Sequence, residues 1–459
     1  MQIDYCIAAC LVPLAIWILL SGLDDLFIGL VYLFSARTRF RWPSAAELDS
    51  APRRRIAILV PLWREEGVIA RMLERNLAVV RYGDYEIFAG VYPNDEPTLG
   101  AVLTAARNDP RVHVALCPDN GPTSKGDCLN HAYRAMEEYE AAHGPRFEII
   151  ATHDAEDLIH PESLRLINWF SRDYQMVQIP VLPLPTPLRD LTHGIYCDEF
   201  AEYQTKDIPA RQRLGGFLPA NGVGTGFSRM ALERLAIERR GKVFDPQCLT
   251  EDYETGCCLH ALGFRQLFVP LRFVAGEPVA TREYFPRGFA AAVRQRSRWV
   301  AGIALQGWER HGWRGPWLQR YWFWRDRKGL AGNLLSPVAN LIFLYYVAIF
   351  LAGANGHLRE IAPAVPCWLP SLCLATFGLS ASQIAMRMWA CARIYGWQFA
   401  AGVPVRTLWA NVVNCAATVE ALRQFFAARI HSRALEWRKT DHIYPEPAVS
   451  GYAPVTFGD

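Results

Sequence analysis

Three acidic side chains crowd into the run THDAED at 152–157: Asp154, Glu156 and Asp157. Carboxylates packed this closely repel one another unless a cation screens them. A hard divalent ion would do so, and Mg2+ commonly bridges one or two carboxylates to the phosphates of a substrate. The plainer reading is a solvated acidic turn capping a helix that begins near Pro161. A second cluster, LTED at 249–252, precedes an apolar helical stretch. Asp252 there can act as a general base on an acceptor hydroxyl, or Thr250 can simply cap the helix. A third, QRSRW at 295–299, offers Gln295 and Arg298 to phosphate oxygens and the flat face of Trp299 to a sugar ring. Its plainer reading is a basic helix beside a membrane.

Two further runs are weaker. Lys125 stands in PTSKGD at 122–127, a glycine-containing turn that opens a helix and can meet phosphate. It lacks the second glycine of a P-loop. The run NGVGTGF at 221–227 holds Gly224, Thr225, Gly226 and Phe227, and its glycines permit close approach of backbone to a ligand.

The elements that must carry these groups alternate in type. Apolar runs at 56–60 and 86–91 read as buried strands, 68–80 has helical spacing, and a strand at 147–152 ends in the acidic cluster. That alternation predicts an α/β sheet. Ligands of such sheets bind beyond the carboxyl ends of the strands, so the chemistry is expected just after Val60, Val91 and Thr152.

Around this domain the chain is apolar. Residues 5–34 are long enough to cross a ~30 Å hydrocarbon core. No basic stretch precedes them, so an uncleaved span is expected rather than a secretory signal. Arg37, Arg39, Arg41, Arg53, Arg54 and Arg55 follow, and the positive-inside bias puts the next segment in the cytoplasm. Asp24 and Asp25 sit either at the cytoplasmic edge of the span or inside a helix bundle, where they would need partners. Residues 330–351 and 367–389 are two more spans, joined by an external link at 353–366. The stretch 403–426 is broken by Arg406, Asn411, Asn414, Glu420 and Arg423 and reads as an interfacial amphipathic helix. This gives three spans, an outside N-terminus and a cytoplasmic tail. A net charge of +3 indicates no general pull on nucleic acid, and 12 cysteines without metal-ligand spacing read as reduced thiols.

Taken singly, these motifs leave their plainer readings open; their order is more telling. In this order the chain resembles a family 2 glycosyltransferase of GT-A fold, in the branch of cellulose, chitin and hyaluronan synthases, with its D, DxD, TED and QxxRW signature. It is more similar still to the bacteriophage-adsorption protein B family. That likeness rests on SGLDDL at 21–26, VPLWREE at 60–66, YPND at 92–95, HDAED at 153–157 and WRKTDH at 437–442. It runs from the first span to about His442.

The resemblance implies a Rossmann-like mixed sheet and inverting transfer from a UDP-sugar, with an N-acetylhexosamine favoured. Pro61, Leu62, Glu65, Glu66 and Asp95 would line the uridine pocket, with Lys125 near the diphosphate. Asp154 and Glu156 would hold Mg2+ or Mn2+, with Asp157 sharing that role because Glu156 replaces the usual Asp. Asp252, assisted by Glu251, would be the catalytic base. Gln295, Arg298 and Trp299 would clamp diphosphate and acceptor, and Gly224, Thr225, Gly226 and Phe227 would form the acceptor-side loop. The acceptor would be a growing exopolysaccharide at the bacterial inner membrane, or a lipid-linked sugar, with an export partner or homo-oligomer completing a channel. The family's C-terminal secretion-ATPase-like module, which can bind cyclic di-GMP, is expected to be missing after Asp459. A rival of another class is a non-enzymatic membrane scaffold or phage-receptor component. The expected organisation is a span at 1–36, a transferase domain at 50–285, interfacial helices at 286–328, two spans at 329–395, and an interfacial helix and tail at 396–459.

Overall fold

The computed structural model describes residues 2–35, 40–353, 367–435, 439 and 444, with side chains from residue 11 onward. Arg37, Arg39, the link at 354–366 and most of the 437–442 run lie outside the described residues.

Eight strands matter to the site: β1 (Ile56–Pro61), β2 (Tyr85–Val91), β3 (Val112–Leu116), β4 (Ile149–Thr152), β5 (Met176–Gln178), β6 (Val181–Pro183), β7 (Thr225–Ser228) and β8 (Gln266–Phe268). All but β6 join one sheet in the order β3-β2-β1-β4-β7-β5-β8. β1 lies parallel between β2 and β4, whereas β7 runs antiparallel between β4 and β5. This is a GT-A-like mixed sheet.

The apolar run of β1 follows from its position. Side chains alternate across a pleated strand. Ile56, Ile58 and Val60 join one core with Ile87, Ile149 and Ile167. Ala57 and Leu59 face the other, with Phe88, Leu129, Met136 and Ile150. Both faces are covered, so β1 cannot carry the polar alternation of a half-exposed strand. In register, Pro61 pairs with Gly90 and Leu59 with Thr152. The carboxyl ends of β1, β2 and β4 therefore stop at one edge, and the acidic run begins there.

Among the described residues, three segments are long and apolar enough to cross a membrane: Leu11–Ser35, Trp317–Leu351 and Leu369–Tyr395. Helix Val403–Ile430 is not among them. It packs on helices Phe289–Trp299, Gly329–Leu351 and Leu191–Glu202, and Val403, Arg406, Ala410, Val413 and Ala417 are among its buried residues. Val405, Val412, Val419 and Phe426 stay exposed on another face. The two aspartates of the first helix have partners. Asp24 accepts from Tyr321 Oη and Lys328 Nζ, each at 2.7 Å, and pairs with Arg325. Asp25 accepts from Lys328 and from Gln383, each at 3.0 Å. These partners come from helices Trp317–Arg327 and Leu369–Tyr395 and from Lys328, the residue before helix Gly329–Leu351.

Candidate active site

The strand ends open into a cavity of about 540 Å3. At one end Pro61, Leu62, Trp63 and Glu65 follow β1, and Tyr92 follows β2. The Trp63 and Tyr92 rings meet edge to face at 5.4 Å, giving this end an apolar wall suited to a flat base. Lys125 enters from the first turn of helix Lys125–His143, where Ser124 caps the helix by accepting from the Asp127 amide at 3.2 Å. The helix start thus brings backbone N–H groups and an ammonium to one place.

Lys125 Nζ lies 2.7 and 2.8 Å from the two carboxylate oxygens of Asp154, and 4.0 Å from Glu251. Burial opposes its charge, but Asp154, Glu251 and Asp252 outweigh it and hold the ammonium above the ordinary lysine range. Glu251 is pushed up to about 7, first by burial and then by its neighbour Asp252. Burial likewise raises Asp252, against the pull of Lys125. Gly222 explains how the groups come so close. At φ +77° it occupies backbone space that side chains avoid, and a Cβ there would fall 2.8 Å from Asp252 Oδ2 and 3.2 Å from Lys125 Nζ.

Asp154, Glu156, Asp252, Gln295, Arg298 and Trp299 all line this same cavity. The plainer readings of these motifs fail on local geometry. Thr250 makes no side-chain cap to helix Glu251–Ala261. Glu156 and Asp157 are buried rather than solvated. Gln295, Arg298 and Trp299, in the last turns of helix Phe289–Trp299, line the cavity.

Residues 52–302, more than half of the chain, match the family described as Glycosyltransferase like family 2. The chain belongs to that family. It is 36% identical, over 95% of its length, to Bacteriophage adsorption protein B of Escherichia coli (strain K12) and to Bacteriophage N4 adsorption protein B of Escherichia coli O157:H7. It spans about three fifths of those relatives, covering 62% of each. Among solved structures it is similar to the mannosyltransferase PcManGT from Pyrobaculum calidifontis in complex with GDP-Man and Mn2+. There the TM-score is 0.52 and the identity 19%, over 88% of this chain and 99% of that one. At that identity the likeness speaks to fold.

Within this transferase several expected site residues stand elsewhere. Thr225, Gly226 and Phe227 are not a loop: they form β7 in the middle of the sheet, with Gly224 just before it. Phe227 packs in the core, and Gly226 is required because a Cβ would strike Ile167. Asn221 and Val223 line the cavity in their place. Asp157 also turns away. Its Oδ2 accepts from the Asp154 amide at 3.0 Å and faces His153 Nδ1 at 2.6 Å, so it braces the acidic loop from behind. Asp95 is buried behind the wall, where its carboxylate accepts from the Arg64 amide and fixes the turn after β1. Glu66 is exposed, whereas Glu65 is buried and lies 3.1 Å from Lys439. Glu251 faces Lys125 from outside the lining.

The sequence reading also missed wall residues. Glu283, at the end of strand Thr281–Glu283, lines the cavity and is held well above the usual carboxylate range by burial and by Glu156, Asp157 and Asp154. Its only sequence signal is an acidic residue in a short polar run. Glu199, Tyr203, Asp207 and Asp326 carried none.

Proposed function

We propose that this chain is an inverting transferase, moving a sugar from a UDP-sugar to a growing saccharide at the bacterial inner membrane, with its catalytic domain on the cytoplasmic side. An N-acetylhexosamine is the favoured donor sugar. The observation that carries this reading is the meeting of Asp252, Lys125, Arg298 and Trp299 at one cavity. A base, two cations and a flat ring in one place suit a single displacement. Asp252 takes the proton of the acceptor hydroxyl as that oxygen bonds to the anomeric carbon. The bond from that carbon to the donor's diphosphate breaks on the opposite face, and Lys125 and Arg298 stabilise the departing charge. One base without a protein nucleophile gives inversion. Trp63, Tyr92 and Glu65 surround the nucleotide end, and Glu251 positions Lys125.

The residues fit a divalent cation. Asp154 and Glu156 line the cavity beside Glu283, and their mutual repulsion is what a cation would relieve. Among the described residues no group of three or more His, Cys, Asp or Glu converges as a closed cage would. Asp154 and Glu156 would hold Mg2+ or Mn2+ together with the donor phosphates. When bound, such an ion neutralises charge on the leaving diphosphate. The mannosyltransferase of similar fold is in complex with Mn2+.

Orientation is supported by basic and aromatic residues where the transferase domain meets the spans: Trp322, Trp324, Arg325, Arg327 and Lys328. The test is to incubate membranes containing the protein with a panel of labelled UDP-sugars and to size the product. A long saccharide is expected; addition of a single sugar would favour a one-step transferase on a lipid-linked acceptor.

A further inference from the structure

Helix Lys125–His143, which brings Lys125 to the cavity, carries a thiol in the same first turn. Cys128 lines the nucleotide end of the cavity with Leu62, Trp63 and Tyr92. Cys117, the residue after β3, is not in that lining, and its amide donates to Val91 O at 2.8 Å. Its side chain is buried, and its Sγ donates to Cys128 Sγ at 3.9 Å. The two sulfurs pack with Tyr92 and Trp63 in one small cluster. Gly90 leaves room for them, since a Cβ there would fall 2.7 Å from Cys128 Sγ.

The two thiols are not equivalent. The bond from Cys117 holds the Cys128 thiol below its ordinary range, and the same bond pushes Cys117 up. Cys128, which meets the cavity, is thus the more readily ionised of the two, and Cys117 stands in contact behind it. An ionisable thiol facing a cavity beside a second, resolving thiol is the arrangement that peroxides oxidise in two steps.

We propose that Cys117 and Cys128 form a reversible redox switch, closed by hydrogen peroxide, that takes Lys125 out of register with Asp154. The Cys128 sulfur attacks one peroxide oxygen; the O–O bond breaks and hydroxide leaves, giving a sulfenic acid. The Cys117 sulfur then attacks the Cys128 sulfur; the S–O bond breaks, and water leaves with the Cys117 proton. The two sulfurs together give up two electrons, and the peroxide is reduced. The bond draws sulfurs 3.9 Å apart to about 2.05 Å. Cys128 moves with its turn, because its amide donates to Ser124 O at 3.0 Å, so Lys125 moves too. Contacts of 2.7 and 2.8 Å between Lys125 and Asp154 do not survive a shift of that size. On the cytoplasmic side proposed above such a disulfide is transient rather than structural. The loss of transfer rests on the transferase reading above; the disulfide itself does not.

The test treats the full chain in reduced membranes with hydrogen peroxide, blocks the remaining thiols and digests with trypsin. Trypsin cuts after Lys125, between the two cysteines, so the linked species joins peptide 112–125 to peptide 126–134. That species should appear, transfer from labelled UDP-sugars should fall by roughly tenfold or more, and dithiothreitol should reverse both. Peptides recovered unlinked after peroxide, or linked without loss of transfer, overturn the proposal. Cys117→Ala removes the second thiol and leaves the cavity lining intact. It should transfer normally when reduced, and peroxide should then leave sulfinic acid on Cys128 and a loss that dithiothreitol does not reverse. Full recovery of that variant would overturn the role of Cys117. A reduced chain that consumes no UDP-sugar would overturn the transferase reading, with the linked peptides still deciding the disulfide.

Discussion

Gly222 and Glu251 show how much of the site depends on single positions. Gly222→Ala adds a methyl into the space shared by Asp252 and Lys125, at a φ that disfavours it. The strain should cost about 1–2 kcal/mol of stability. Because the displaced atoms are the proposed base and the proposed phosphate-binding ammonium, transfer should fall by at least roughly tenfold more than stability explains. Comparing transfer rate with the unfolding midpoint separates the two. Glu251, with its folded value near 7 and a usual value of 4.5, keeps its proton longer in the folded chain. The folded state then binds more protons between those values, so stability falls as pH rises from about 5 to 7. Glu251→Gln should flatten that slope in unfolding midpoints measured across the range; an unchanged slope would contradict the assignment.

At the scale of elements, helix Val403–Ile430 is held by a buried ion pair. Arg406 Nε and Nη2 lie 2.7 and 2.8 Å from the carboxylate of Asp198, and Nη2 also donates to Phe399 O. Removing one partner of such a pair leaves a buried charge uncompensated, at about 3–5 kcal/mol. Arg406→Ala should therefore destabilise the folded protein by that order in denaturant unfolding and loosen the helix from its contacts. Its sequence, with five polar breaks, predicts an interfacial helix, but the buried Arg406–Asp198 pair is invisible because its partners are 208 residues apart. β1 and β4 are legible because full burial on both faces forces a continuous apolar run. The Gly224 to Phe227 run misleads for a physical reason. Glycine serves equally where a ligand approaches and where a neighbouring side chain, here Ile167, leaves no room for a Cβ.

Over the whole molecule, the order of acidic and Gln-x-x-Arg-Trp motifs points to one side of the cavity: the first acidic run follows β4, the second opens helix Glu251–Ala261, and Gln295 to Trp299 close helix Phe289–Trp299. The far wall of the cavity is assembled from Glu199, Phe200, Glu202, Tyr203, Asp207, Asp326 and Arg387, far apart in the chain, and no local pattern announces it. The junction of span and transferase domain is electrostatic. Asp24 and Asp25 of the first helix face Arg325 and Lys328, and Arg325 also reaches Asp207 on the cavity wall. Asp24→Ala should lower stability by about 1–3 kcal/mol, since Asp25 still compensates part of the charge. It should also weaken transfer through Asp207, which unfolding and activity measured on one preparation would reveal.

The central claim is that Asp252 is the base of a nucleotide-sugar transferase. It is tested most directly by measuring labelled transfer and UDP affinity side by side in membranes carrying the wild type and Asp252→Asn. Loss of transfer by about 10²–10⁴-fold with UDP affinity retained is the predicted result. Full transfer by Asp252→Asn would contradict it.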